Sequence, residues 1–431
     1  MATYLTRTNS SSSNTYTFSA WLKHSTVGVN DYKTICLFGT DRDVSTTMSF
    51  SINNSDKWNV YNGSSHNPSD QVARDCNAWY HVVLKVDNLV GTIYVNNEIA
   101  KSSITCKATG TETNKMIVGG YVQPGNEDYF NGVMAHVHFI DGTAYDADTF
   151  GETDATTGIW KPKLAPSVTY GTNGFFLKFE NSGAFGTDSS GNGNTFTVNG
   201  TMTQTIDTPS NVFATWNPLN EISSVSYTNG NTTFTNSSSS NRLAFSNYAF
   251  TKGKYYCEMK VVEHNSNYTH IGLNNIGSYR LTNAYVNDPT NEKVSYLNDG
   301  RVFIHGGTLD STGITYTTGD IIGMACDMDN GYLYYHKNGT YLNSGDPTSG
   351  GSGTGGFDIY NHGNVDYCFA VSNSDGGTDP VISANFGNGY FGTTAVSSAQ
   401  NPDDGIGIFE YDVPAGYRAL CTKSINAQEY S

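Results

Sequence analysis

Four groups of residues in this chain could do chemistry, and spacing alone weighs each of them. The first is TDSSGNGN at 187–194, where Asp188, Asn192 and Asn194 converge on a turn that glycine permits. Calcium takes about six to eight oxygen ligands, so carboxylate, amide and backbone oxygens suit it together. The same three residues also build an Asx-stabilised turn with no metal, and both readings stand at this point. The second group is His136 and His138, two apart and so on one face of a strand. Zinc needs at least one further ligand, and none is adjacent; the pair reads as a solvated or interface face. The third is a set of aromatics outside the clearest strands: Tyr121, Tyr129, Tyr279, Tyr285 and Tyr360. Such rings stack on the apolar faces of sugars, while Asn, Asp and backbone groups take the hydroxyls. Against this stands the ordinary role of tyrosine in β proteins, half-buried and paired across strands.

The fourth group is the carboxylates. Retaining glycoside hydrolysis needs two of them about 5–5.5 Å apart, commonly presented on one strand as E-x-D-x-E. The chain has no such string. Glu258 is isolated in YYCEMKV, Asp327 and Asp329 belong to a turn, and Glu127-Asp128 reads as loop. G-x-S-x-G, H-E-x-x-H and G-x-x-x-x-G-K-[ST] are also missing. The expectation is a protein that binds rather than catalyses, with no certain cofactor and calcium as the one candidate.

The elements that would position these residues are strands. Period-two alternation runs through TYTFSAWLK, WYHVVLKVD, GVMAHVHFIDG, YYCEMKVV and DIIGMACDMDNGYLYYHKNG. Asn-Gly and Asp-Gly pairs separate the runs, and both residues tolerate the positive φ of tight hairpins. Short strands punctuated this way predict an all-β chain of antiparallel sandwiches. The 431 residues suffice for two such domains.

Composition removes several functions. Lys and Arg number 23 against 39 Asp and Glu, a net charge of −16 with no basic block; a phosphate backbone needs the opposite. The longest apolar runs fall far short of the ~20 residues that span a bilayer. The N-terminal stretch MATYLTRTNSSSSNTY lacks the apolar core of a signal peptide. Aromatics at 13% supply core material that disordered chains lack. The seven cysteines are widely spaced with no C-x-x-C, and several stand at inward positions of alternating strands. They read as small core residues of a chain folded in a reducing compartment.

Three stretches of the first half, TFSAWLK at 17–23, WYHVVLKVDNLVGTIYVNN at 79–97 and YFNGVMAHVHFIDGTAYDADTF at 129–150, resemble the laminin-G or concanavalin A-like jelly rolls. The D-x-S-G-N-G-N turn that often follows the opening strand of such domains falls late here, at 186–196, after GFFLKFE. We therefore expect 171–200 to pair with the first strand, as in a circular permutation. The second half resembles the SPRY family through GKYYCEMKV at 253–261, HIGL at 270–273, GDIIGMACDMDNGYLYYHKNG at 319–339, YCFAVS at 367–372 and VISANFG at 381–387; Cys257 stands where that family usually has Trp. The tandem, with FGETDATTGIWKPK, GTNGFFLKF and FATWNPL, is similar to virion surface proteins of tailed bacteriophages of the marine and cyanophage type.

The resulting expectation is two antiparallel β-sandwich (jelly-roll) domains in tandem. A concanavalin A-like sandwich spans 1–205, a linker and first strand 206–242, a SPRY-like sandwich 243–423, and a tail without core pattern 424–431. The resemblance implies a non-enzymatic virion protein, made in the host cytoplasm, that adheres to a host-surface glycan or envelope protein as a fibre or receptor-binding component. Other virion proteins and further copies of the chain would be its partners; nucleic acid and membrane insertion are not expected. Capsid decoration or tail bridging without a ligand, and polysaccharide depolymerisation, are the alternatives.

Overall fold

A computed structural model of the chain describes residues 3–28, 31–38, 47–110, 115–123, 126–155, 158–219, 225–237, 242–264, 268–275, 293–304, 307–359, 366–374 and 380–429. The chain divides into two compact units, Met1–Gln204 with Thr208–Ser210, and Thr205–Asp207 with Asn211–Ser431. Both are antiparallel sandwiches, the fold class that the alternation predicts.

In the N-terminal unit a seven-stranded sheet runs in the order Thr197–Asn199, Tyr4–Thr8, Lys115–Val118, Lys33–Phe38, Met48–Ile52, Lys57–Tyr61, His66–Val72. The facing six-stranded sheet runs Phe175–Leu177, Gly132–Asp141, Tyr16–His24, Tyr80–Asp87, Val90–Val95, Glu98–Thr105. Alternate residues of both sheets, among them Phe18, Leu22, Phe50, Trp58, Val82, Leu84 and Phe139, fill the space between them. Only half of the expected late pairing appears. Thr197–Asn199 does pair with the first strand, Leu5 opposite Val198. Phe175–Leu177 instead joins the other sheet, Phe176 opposite His138. The late segment therefore closes both layers of the sandwich rather than adding to one edge.

In the C-terminal unit the larger sheet runs Val225–Thr228, Thr233–Asn236, Val381–Asn385, Lys254–Glu263, Ile321–Asp327, Tyr332–Lys337, Thr340–Tyr341, with Phe357–Asp358 and the parallel Arg418–Ala419 beside it. The second sheet runs Arg242–Phe245, Tyr367–Ser374, Tyr268–Asn275, Lys293–Leu297, Arg301–Ile304, Gly307–Ser311. The Asn/Ser/Thr-rich stretch before residue 242 supplies two strands and the fully buried Trp216 to this unit. The tail is not patternless: Thr422–Glu429 is a helix, with Ser424 buried and Ile425 packed on the core.

All seven cysteines are buried and unbridged, as their inward positions imply. No helix among the described residues is long and apolar enough to cross a membrane.

Candidate functional site

Alternation also decides what the outer faces carry. In the seven-stranded sheet Met48, Phe50, Ile52, Trp58 and Val60 point into the core, so Ser49, Ser51, Asn59 and Tyr61 point outward. Cross-strand register aligns them: Leu37 lies opposite Ser49, Ser49 opposite Tyr61, and Tyr61 opposite His66. Small Ser49 thus sits between larger neighbours, forming the floor of a lane. The His66 ring lies 4.8 Å from that of Tyr61 and 5.4 Å from that of Tyr32. Beneath it Asn59 is fully buried, with Nδ2 3.2 Å from His66 Nδ1 and Oδ1 left without a partner.

The hairpin Gly120–Gln123 and Asn126–Tyr129 borders the same face. It changes the reading of two tyrosines. Tyr121 is a strand residue only 5% exposed, packed on Leu37 and Ile117, so its ring is wall rather than open platform. Tyr129 is also a strand residue, half-buried, stacked on Tyr4 at 5.9 Å and donating to Glu127 Oε2 at 2.9 Å. Tyr279, Tyr285 and Tyr360 lie outside the described residues.

Asp128 lies opposite Tyr121 in the hairpin, not in a loop. Burial, then the charge of Asp31 and a hydrogen bond with it, push its carboxyl up to about 6. The lane therefore offers tyrosine and imidazole faces, hydroxyls and the Asp128 carboxyl.

The turn at 188–194 is built by hydrogen bonds that leave no room for calcium. Asp188 accepts the N–H groups of Phe176, Ser190 and Asn194 and the Ser190 hydroxyl. Asn192 Nδ2 donates to the carbonyls of Gly171 and Gly174, and Asn194 Nδ2 to those of Thr172 and Gly174. The oxygens a cation would need are occupied, and the Asn194 oxygen faces a cation already present, the guanidinium of Arg7. Arg7 also reaches Asn9 Oδ1 and the Asn173 carbonyl, tying the first strand to this loop. These residues do not fit calcium; they fit the Asx turn. The melting temperature of the intact chain should be the same in EDTA as in excess calcium. Asp188→Ala, by orphaning three N–H groups, should lower stability by about 2–3 kcal/mol in denaturant titration.

His136 and His138 do share a face: although a bulge separates them and places His136 at φ 47°, their rings stack 6.5 Å apart and both lie on Phe176; the face is packed against Phe176 and not solvated. His138 is buried, stacked on Phe176 at 3.9 Å and hydrogen-bonded to the Tyr170 hydroxyl. No cluster of three metal-ligating side chains occurs among the described residues.

Two further polar centres escaped sequence reasoning. On the outer face of the six-stranded sheet Ser19 Oγ is 2.9 Å from His81 Nε2, which has the look of a nucleophile and its base. The third partner contradicts that. Trp160 Nε1 donates to His81 Nδ1, so the proton of the neutral ring sits on Nε2 and points at the serine, whereas a triad needs that nitrogen free to accept. In the C-terminal unit Glu258 is fully buried. It accepts from Tyr256 Oη, Asn385 Nδ2 and the N–H groups of Glu410 and Tyr411 at 2.8–3.3 Å. His336 Nδ1 accepts from Gly339 N–H, so its Nε2–H donates to Tyr256 at 2.6 Å. The row Glu258–Gly323–His336 across three strands explains the reach: a Cβ on Gly323 would fall 1.8 Å from His336 Nε2. The signal in sequence was an outward Glu flanked by Tyr at i−2, but its partners lie far along the chain.

With these geometries described, comparison with known proteins adds the following. No curated protein matches the chain. Among solved structures, the SPRY domain of human HERC1 is 16% identical with a TM-score of 0.31, covering 39% of this chain and 96% of that one. The TRIM65 PSpry domain is 13% identical with a TM-score of 0.30, covering 40% and 91%. A provisionally named carbohydrate binding protein from Bacteroides ovatus is 17% identical with a TM-score of 0.30, covering 46% and 58%. Residues 2–148, the stretch that contains the tyrosine lane, match the family profile of the concanavalin A-like lectin/glucanases superfamily.

Proposed function

We propose that this chain is a non-enzymatic adhesion protein whose N-terminal unit holds glycans along the outer face of its seven-stranded sheet. The observation that carries the proposal is the lane itself. Ser49 forms a small floor between Tyr61 and Leu37, and the His66 ring is tilted against those of Tyr61 and Tyr32 beside it. Aromatic faces beside hydroxyl and imidazole groups match the alternating apolar and hydroxyl surfaces of a sugar. The match of residues 2–148 to a lectin and glucanase superfamily supports the same ligand class. Binding is favoured over depolymerisation because Ser19–His81 carries its proton the wrong way.

A glycan array with the purified chain tests this. Sugar binding is expected, and Tyr61→Ala should weaken it about tenfold, or ~1.4 kcal/mol, with unchanged circular dichroism. An array without hits, or a Tyr61→Ala protein that binds as well as the parent, would overturn the reading.

The finer assignment is the exterior of a tailed-bacteriophage particle, as a fibre or receptor-binding component beside other virion proteins and further copies of itself. It is supported by the motif tandem and by the Asn-, Ser-, Thr- and Gly-rich composition with few ion pairs. Proteomics of purified particles decides it: the chain should co-purify with capsid or tail. A chain found in virions that binds no sugar would be a decoration or bridging protein.

A further inference from the structure

Nine Asn-Gly pairs stand in the chain, beginning at 62, 131, 173, 192, 199, 229, 330, 338 and 388. Each is a latent reactive site, because glycine has no Cβ to shield its backbone nitrogen from the asparagine amide beside it. Attack needs two freedoms: a side-chain amide that can swing onto the backbone, and a glycine N–H that is not already donating. The fold removes one or both at eight of the nine. Asn62, Asn173 and Asn192 donate Nδ2 to the carbonyls of Thr105, Ser11 and Gly171. Asn199 and Asn229 donate to the Thr6 and Thr233 hydroxyls, and Asn330 and Asn338 to the carboxylates of Asp327 and Asp320. After Asn388, the Gly389 N–H is engaged by Asn385 Oδ1.

Asn131 differs on both counts. It lies in the short connection between the strands Asn126–Tyr129 and Gly132–Asp141, and both it and Gly132 are exposed. Its side-chain amide makes no hydrogen bond among the described residues. Register frees the glycine. Gly132 lies opposite His24 while Ser25 N–H donates to the Asn131 carbonyl. Gly132 therefore occupies a non-hydrogen-bonded position of the ladder, and its N–H points away from the strand Tyr16–His24. On the other side Phe175–Leu177 pairs only with Val137–Phe139, so no described strand meets that N–H. The glycine is also fixed in place: a Cβ at 132 would fall 2.1 Å from the Lys23 carbonyl oxygen and 2.9 Å from His24 Cα. Close approach of the two strands thus retains the reactive pair.

We propose that Asn131 is the site at which the folded chain deamidates itself. Gly132 N attacks Asn131 Cγ and gives up its proton. The Cγ–Nδ2 bond breaks, and Nδ2 leaves with that proton as ammonia, closing a five-membered succinimide. Solvent water then adds to one of the two ring carbonyls and opens it to an aspartyl or an isoaspartyl link. No metal, oxidant or second protein takes part. The isoaspartyl form puts one extra carbon into the backbone where the hairpin that borders the lane joins the strand Gly132–Asp141. Both forms add a negative charge there.

Peptide mapping of the full-length chain, aged in mildly alkaline buffer, tests this, since mass spectrometry reads each pair separately as NH replaced by O. Asn131 should convert first, ahead of each other pair by about fivefold for every further hydrogen bond that pair must break. Its product should contain both aspartyl and isoaspartyl peptides, which chromatography separates. In urea, where every pair is free, the nine rates should converge. Asn131→Gln removes an exposed side chain without a contact, so it should fold as the parent does and lack the early species. A different pair converting first in the folded chain overturns the proposal. So does an Asn131 that stays intact while the unfolded chain converts, a product without isoaspartate, or a lead at Asn131 that persists undiminished in urea.

Discussion

Acidification from about pH 7 to about pH 5 should unfold the N-terminal unit before the C-terminal one. Burial holds His24 at about 4 and His81 at about 3, and drives His138 well below its ordinary value. All three are neutral in the fold and become cationic in the unfolded chain near the ordinary histidine value of 6.5. A group whose folded pKa is depressed contributes stability above its unfolded pKa and loses it as pH falls. Each therefore withdraws ~2 kcal/mol by pH 5. Three of them withdraw ~6 kcal/mol, comparable with the whole stability of a typical domain at ~5–15 kcal/mol. Asp128, raised to about 6, works in the other direction, but its half-exposed position limits what it returns.

In the C-terminal unit burial holds His336 at about 3. Glu258 opposes it: its folded pKa is raised, so its contribution is complete below 4.5 and is lost as pH rises through about 7. Within this window the contributions of His336 and Glu258 offset each other in the C-terminal unit, while those of the three histidines add in the N-terminal one. Four of the five tryptophans (Trp21, Trp58, Trp79 and Trp160) lie in the N-terminal unit and Trp216 in the other. Tryptophan fluorescence should accordingly report the acid transition while C-terminal peptides keep their amide-exchange protection. Simultaneous loss in both units, or none at pH 5, would refute the account.

Glu258→Ala should destabilise the C-terminal unit by about 3–5 kcal/mol. The carboxylate is the common acceptor of four donors drawn from three parts of the chain. Its loss orphans the Tyr256 hydroxyl, the Asn385 amide and the N–H groups of Glu410 and Tyr411 in an environment without water. The segment carrying Glu410 and Tyr411 leads into Val413, Tyr417, Ala419 and Cys421, which cover Tyr256, Ala325 and Tyr334 on the outer face of the larger sheet. Loosening should therefore begin there. In Glu258→Ala, peptides over 405–421 should exchange amide hydrogens first, and a protease should cut there before the sandwich opens. Glu258→Gln, with the same shape but an NH2 turned toward a donor, should cost less than Ala. Equal stability of the Ala variant and the parent in urea titration would show that the network carries no weight.

The sequence alone determined the fold class, and the reason is local. Strand side chains alternate with period two, so inward Phe18, Leu22, Val82, Leu84 and Phe139 were legible from their neighbours, as were the buried cysteines. Motif order pointed to the concanavalin A-like character of residues 2–148 for the same reason: those motifs are contiguous strands. The tyrosine candidates were not legible in position: the sequence places Tyr121 and Tyr129 in loops, whereas both are strand residues and Tyr121 is pressed on Leu37. The calcium reading failed on a contact made at long range, with Arg7 from the first strand supplying the positive charge that the loop satisfies.

What only the tertiary structure decided is every site built from register. Ser49 separates Tyr61 from Leu37, Glu258 gathers Tyr256 and Asn385 with His336 behind Tyr256, and Lys33 meets Asp56. None of these groups forms a motif, since each joins residues from different strands or loops. A one-residue change in register would turn each outward member into the core. Pairing of distant strands creates the chemistry in this protein, and pairing is a property of the folded sheet rather than of any stretch of chain.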